Sequence, residues 1–350
     1  KFPRIYKWND PVKGELYRPF IITPKTTVNI EQPIYLFSSK EAQEITLSLK
    51  ANTDNQTGEF KVIAPGGWSL TYEKAFNLLK KGDESKVVIR LSPMESPQDG
   101  LLELYINKEP SKSLNTISYD HIPVQVWFPN STAQLVYVSM KKSGEKIGYL
   151  LGAGDVVPEA LANIGYNVDL LTETDLDLDN LKQYDAILTG VRFFNVNERS
   201  PYIAPKLMKY VENGGNLVVQ YNTRHRMKTQ DFGPYPIRLS RDRVTEENAQ
   251  VTFLAPEHMV LNYPNKIKLK DFDNWVQERG LYFPDKWDDK YEAILSWHDK
   301  NEDAKEGSLL IAQYGKGTYV YTGISFFREL PAGVPGAYRL LVNLISLDNE

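Results

Sequence analysis

The 350-residue chain contains no cysteine. That excludes disulfides, thiolate metal sites and any cysteine nucleophile, and it leaves the redox compartment open. Histidine is scarce. His121, His225, His258 and His298 are scattered, with no His-x-x-x-His or His-Glu-x-x-His spacing, so no metal site and no cofactor is expected. No apolar run approaches the roughly 20 residues that span a bilayer, and no signal peptide is visible. Positive charge is not in excess: the formal net charge is −4 and there is no basic block, which argues against nucleic acid as a partner. The chain opens on Lys1-Phe2-Pro3-Arg4 without Met, which reads as a fragment or a processed form.

What is present is an ordinary globular composition, 41% apolar and 25% charged. The length implies two domains. Tyrosine is abundant, with 21 copies. A β-rich domain raises that count, and tyrosine also suits surfaces that bind polar ligands such as sugars.

Residues 1–138 read as all-β. Short β-prone runs at 16–23, 33–37, 45–49, 60–63, 87–91, 101–106 and 122–127 are separated by turn chemistry such as Pro65-Gly66-Gly67 and Lys81-Gly82-Asp83. Seven short strands at this spacing predict an immunoglobulin-like sandwich with Trp68 in its core. Such a domain, without a cluster of catalytic residue types, reads as a spacer or binding module.

Residues 139–350 read differently. Apolar runs at 147–151, 166–171, 184–189 and 216–220 are separated by helix-like segments at 158–164 and 206–212, the latter closing on Asn213-Gly214-Gly215. Strands of low charge alternating with helices predict a parallel sheet covered on both faces, an α/β domain. In such sheets ligands bind beyond the carboxyl ends of the strands. Those ends are residues 152–155, 190–195 and 220–226. Beyond them the alternation lapses into a polar, Arg-rich stretch at 223–243, read as a loop, and the aromatic run 271–284.

Several chemistries can be weighed at these ends. Gly152-Ala153-Gly154-Asp155 invites a dinucleotide reading, but Val157 stands where the third glycine is needed. The plainer alternative is a tight strand-to-helix turn with Asp155 as N-cap. An acid pair for glycoside hydrolysis can be drawn from Asp155, Glu278 or Asp288, although sequence gives no separation between them.

Longer motifs carry a resemblance. Tyr184-Asp185-Ala186-Ile187-Leu188-Thr189-Gly190-Val191-Arg192, Leu217-Val218-Val219-Gln220-Tyr221-Asn222, Ser240-Arg241-Asp242-Arg243-Val244-Thr245, Trp275-Val276-Gln277-Glu278-Arg279-Gly280-Leu281-Tyr282-Phe283-Pro284 and Ser325-Phe326-Phe327-Arg328-Glu329-Leu330-Pro331 resemble the C-terminal region of large bacterial PIG-L (LmbE-like) deacetylases. The opening Tyr6-Lys7-Trp8-Asn9-Asp10-Pro11 fits the segment that follows their catalytic domain. The resemblance implies a zinc-dependent N-acetyl-sugar deacetylase as the parent protein, bacterial and periplasmic or extracytoplasmic. The family's Ala-His-Pro-Asp-Asp type motif does not occur in this chain. The region from Ile147 is similar to class I glutamine-amidotransferase-like, flavodoxin-like domains. Where their nucleophilic cysteine sits, this chain has Gln220-Tyr221-Asn222, so no catalytic residue is carried over.

The expectation is therefore an immunoglobulin-like sandwich, residues 1–138, followed by an amidotransferase-like α/β domain, residues 139–350. Together they form a non-catalytic accessory region that aids binding or presentation of an acetylated carbohydrate. Its expected partners are the deacetylase catalytic domain of the same parent chain and a glycan. Candidate ligand-binding residues are Asp155, Arg192, Asn222, Arg241, Arg243, His258, Trp275, Glu278, Arg279 and Tyr282. Two alternatives stand beside it: an independent hydrolase using Asp155, Glu278 or His258, and a structural or oligomerisation module.

Overall fold

In a computed structural model describing residues 4–119 and 121–347, the alternating segments of the first half become strands with one buried face. The opening Lys1-Phe2-Pro3 lies outside the described residues. The chain divides into two compact units, Lys1–Tyr137 and Val138–Glu350.

In the first unit, Gln43–Ala51 shows how pattern sets the fold. Ile45, Leu47 and Leu49 are buried while the residues between them are not, as a period of two requires of a strand with one face in the core. This strand lies between Thr26–Ile30 and Glu84–Pro93 in a four-stranded antiparallel sheet whose far edge is Trp68–Thr71. A six-stranded sheet runs Ile34–Phe37, Thr132–Tyr137, Gly100–Ile106, Gln56–Ile63, Ala75–Leu78, with Glu109–Pro110 attached to Gly100–Ile106. Residues of both sheets share one core, in which Trp68 meets Phe37 edge-on at 4.7 Å. Ile5–Asp10 pairs with Gly14–Pro19, and Asn115–Ile117 with Gln125–Trp127, as separate two-stranded hairpins.

The second unit holds a seven-stranded sheet. Its order is Asn167–Leu170, Lys146–Leu150, Ala186–Thr189, Asn216–Gln220, Gly317–Thr322, Leu309–Tyr314, Glu292–Ala293. The first five strands are parallel, and Leu309–Tyr314 joins antiparallel. Every residue of Ala186–Thr189, Asn216–Gln220 and Gly317–Thr322 is buried, as expected of strands covered on both faces.

The expected fold class, an immunoglobulin-like sandwich followed by a flavodoxin-like α/β domain, is corrected by this architecture. The chain is mostly β, with 39% strand against 15% helix, spread over many sheets. In the first unit, the runs at 16–23 and 122–127 contribute to the lone hairpins. The sheets instead recruit Thr26–Ile30, Trp68–Thr71, Ala75–Leu78 and Thr132–Tyr137, which the sequence reading passed over. In the second unit, the helices between the parallel strands are Val157–Asn163, Leu178–Leu181, Phe193–Val196 and Ser200–Glu212, of seven, four, four and thirteen residues. After Asn216–Gln220 the chain leaves strand–helix alternation for two-stranded sheets, Ile237–Val244 with Gly280–Trp287 and Val251–Phe253 with Leu295–Trp297. The stretch 223–243, read as a loop, ends in one of these strands. The α/β expectation extended the regular pattern of residues 147–220 over a region where it does not continue.

Candidate functional site

The loops that follow the parallel strands meet at one edge of the seven-stranded sheet, and most of their polar side chains are occupied in holding one another. Asp155 Oδ1 accepts from the Tyr149 hydroxyl at 2.6 Å and from Val157 N at 3.1 Å, while Oδ2 accepts from Val191 N at 3.1 Å. Burial, then the charge of Asp155, push the Tyr149 hydroxyl well above its ordinary pKa, so it stays a donor. The backbone contact beneath this clamp explains the glycines: a Cβ on Gly152 would lie 2.1 Å from Val191 O. The Gly152–Asp155 turn is thus packed against a neighbouring loop. Asn222 is fully buried; its Oδ1 accepts from Phe194 N at 2.9 Å and its Nδ2 donates to Gln220 O at 2.9 Å.

Beside these loops is an aromatic platform. Tyr221, directly after Asn216–Gln220, stacks on Tyr282 with ring centroids 5.7 Å apart and planes 21° from parallel. Phe327 also packs on Tyr221, with centroids 5.4 Å apart and planes tilted by 47°. Tyr282 owes its position to a β-bulge. Asp242 pairs with Phe283 and Arg243 with Leu281, so Tyr282 is the extra residue on its strand. Its φ is 55°, a left-handed conformation that is a genuine outlier for a bulky side chain. Bulges of this kind re-aim a side chain, and here the side chain is turned onto Tyr221. Burial raises the pKa of the Tyr221 hydroxyl, and Arg192 opposes the shift.

Arg192 has φ 58° and is exposed. Its backbone is fixed: its N–H donates to Tyr221 O at 2.8 Å, and its carbonyl accepts from Asn195 N and Val196 N. Among the described residues, no hydrogen bond or ion pair engages its guanidinium. Gln277, at φ 67°, is a third left-handed residue near this edge. Such strain persists where the surroundings over-determine it, and it gathers at ligand sites.

Glu278 is taken up by Arg328, whose Nε lies 2.7 Å from Oε1. Arg328 Nη1 also donates to Gln277 Oε1. Arg279 and Trp275 do not reach the rim. Arg279 is buried, donates from Nη1 to Phe272 O and from Nη2 to Ala249 O, and lies over the Trp275, Phe272 and Trp297 rings. Burial lowers its pKa to about 10, against the pull of Glu329 and Asp273. Trp275 is spent on the same core and donates Nε1 to Asp271 O at 2.9 Å.

The remaining candidates lie apart from the platform. Arg241 and Arg243 line an open groove of about 460 Å³ with Asp242, Asn301, Glu302, Asp303 and Lys305, so its charges are mixed. His258 caps a short helical turn, its Nδ1 accepting from Val260 N at 3.0 Å, and burial lowers its pKa. A smaller cleft of about 250 Å³ lies at the amino edge of the sheet, lined by Tyr184, Asp185, Asn213 and Gly214 among others. No candidate residue borders it.

The structure therefore brings Asp155, Arg192, Asn222, Glu278 and Tyr282 to the loops of one edge, and leaves Arg241, Arg243, His258, Trp275 and Arg279 elsewhere. Sequence reasoning missed Phe327 and Arg328 as site residues. Their signal lay in the run Gly317–Thr322, a fully buried strand. Its parallel pairing with Asn216–Gln220 carries the chain that follows to the same edge. Among the described residues, no group of three or more His, Asp or Glu is placed to hold a metal ion.

No protein-family model matches the chain, and no curated protein matches it. It is similar to solved glycoside hydrolases. A β-galactosidase from Rahnella sp. R3 aligns at 14% identity and a TM-score of 0.35, over 59% of this chain and 32% of that one. A β-galactosidase from Bacillus circulans sp. alkalophilus aligns at 12% identity and a TM-score of 0.35, over 58% and 31%. A family 123 glycoside hydrolase from Clostridium perfringens aligns at 8% identity and a TM-score of 0.19, over 57% and 39%. The chain spans about a third of the length of the β-galactosidases. Similarity at this level assigns no activity to it.

Proposed function

We propose that this chain is a non-catalytic accessory region that binds an acetylated carbohydrate at the Tyr221–Tyr282 platform and presents it to the zinc-dependent catalytic domain of a PIG-L-type N-deacetylase. The parentage rests on the motif resemblance of residues 184–192, 217–222, 240–245, 275–284 and 325–331. The binding role rests on one observation: a bulge places the Tyr282 ring, in a strained backbone conformation, parallel to Tyr221 and next to loops rich in polar groups. A pyranose presents one face of C–H groups and a rim of hydroxyls. Tyrosine matches both, with an apolar ring and a polar tip. The hydrolase alternative is disfavoured by the state of its acids. Asp155 spends both oxygens on local donors, Glu278 is held by Arg328, and His258 Nδ1 is a cap.

The test is calorimetric titration of the chain with N-acetylated oligosaccharides, beside Tyr282→Ala. Binding that is lost in the variant, with its melting transition retained, supports the proposal. Absence of binding by the folded wild-type chain across a panel of acetylated and unacetylated glycans sinks it.

A further inference from the structure

The charges around the platform are unequally satisfied. The charges of Arg192, Glu278 and Arg328 act on the Tyr221 hydroxyl. Glu278 and Arg328 neutralise one another across 2.7 Å, with Gln277 taking a further Arg328 donor. Arg192 is left as the one uncompensated charge of the three. Its backbone is fastened on both sides, to Tyr221 O and to the turn at Asn195 and Val196. The exposed Arg192 side chain is therefore rooted in backbone that is bonded directly to Tyr221.

We infer that the platform selects an acidic sugar, with a uronate-type carboxylate on the Arg192 guanidinium and the pyranose face on Tyr282. This rests on the carbohydrate reading above and narrows its ligand class. A guanidinium presents two parallel N–H donors that fit both oxygens of a carboxylate, which a neutral hydroxymethyl group cannot match. The unpaired Arg192 guanidinium opposes basic sugars, and neutral ones keep only the aromatic contact. The other candidate residues with polar tips at this edge, Asp155, Asn222 and Glu278, each accept from within the protein. Discrimination thus falls to Arg192.

The experiment titrates the chain with an N-acetylated oligosaccharide containing uronate units, and with the same oligosaccharide after its carboxylates are reduced to alcohols. Wild type should bind the acidic form about tenfold or more tightly, the size of one charge-assisted bidentate contact. Added salt should narrow that gap. Arg192→Gln should bind both forms equally and weakly, and Arg192→Lys should recover part of the preference, since a point charge replaces a fork. Both variants keep a non-glycine residue at an exposed position, and unchanged melting verifies their fold. Equal binding of the two oligosaccharides by wild type, or a preference that survives in Arg192→Gln, overturns the acidic assignment while the carbohydrate reading stands. If folded wild type binds neither oligosaccharide nor any member of the glycan panel, both fall.

Discussion

Arg279 and Glu329 are both buried, and among the described residues neither Arg279 Nε nor Glu329 Oε1 has a hydrogen-bond partner. They are joined through the backbone: Ser325 N donates to Arg279 O, Glu329 N donates to Ser325 O, and Glu329 Oε2 accepts from Val276 N at 3.0 Å. Val276 leads into Gln277 and Glu278, the residues that hold Arg328. The protonation of a buried acid is thus connected to the rim of the aromatic platform.

That connection makes stability depend on pH. Burial raises the Glu329 pKa from 4.5 to about 8, partly offset by the Val276 hydrogen bond and Arg279. Below 4.5 the carboxyl is neutral in folded and unfolded chains alike. Between 4.5 and 8 the unfolded chain releases the proton and the folded one keeps it, so stability falls as pH rises. Above 8 this contribution is flat. At about 1.4 kcal/mol per pH unit, the loss over the window is of the order of a few kcal/mol. Arg279, at about 10, keeps its charge throughout. Glu329→Gln keeps the acceptor for Val276 N and removes the titration. Melting followed from pH 5 to pH 8 should show a flatter profile in Glu329→Gln and a higher melting temperature at pH 8. A variant with the wild-type slope would place the pH dependence elsewhere.

Asp155 should behave as a structural clamp. It accepts from Tyr149, Val157 and Val191, tying the turn after Lys146–Leu150 to the loop after its sheet neighbour Ala186–Thr189. Asp155→Ala leaves buried donors without an acceptor and should cost about 2–4 kcal/mol, read as a lower denaturant midpoint. Material that remains folded should bind glycan as wild type does. Selective loss of binding at unchanged stability would return Asp155 to the ligand site.

Local pattern was legible where structure is local. The apolar runs at 147–151 and 216–220 coincide with strands because burial on both faces demands uninterrupted apolar residues. Gly152 and Asp155 were visible as turn chemistry. The platform was not, because three non-local events create it. Gly317–Thr322 pairs in parallel with a strand roughly a hundred residues earlier, Gly280–Trp287 acquires a bulge against Ile237–Val244, and Tyr282 takes up a left-handed φ. Trp275 and Arg279 misled for the opposite reason. An aromatic beside a guanidinium looks the same in sequence whether it faces solvent or, as here, stacks inside the core.

Arg279→Lys should expose that internal role. A lysine keeps one positive charge but cannot donate to Phe272 O and Ala249 O in the same planar fork, nor lie flat against Trp275 and Trp297. Losing a buried charge-assisted contact and the stacking should cost about 2–4 kcal/mol. Measured by denaturant unfolding, a change below 0.5 kcal/mol would contradict the structural assignment.

Tyr282 separates strain from recognition. Its φ of 55° costs a side-chain-bearing residue on the order of 1 kcal/mol or more, whereas glycine adopts it freely. Tyr282→Ala keeps the strain and loses the stacked ring. Tyr282→Gly loses the ring and relieves the strain. Tyr282→Gly should therefore be the more stable variant by about 1 kcal/mol, even though glycine within a strand ordinarily destabilises. Both should lose glycan binding to the same extent, since each removes the face on which the sugar rests. If Tyr282→Ala is instead the more stable, the bulge does not hold Tyr282 in the left-handed region in solution. The parallel stacking on Tyr221, and the platform built from it, would then have to be abandoned.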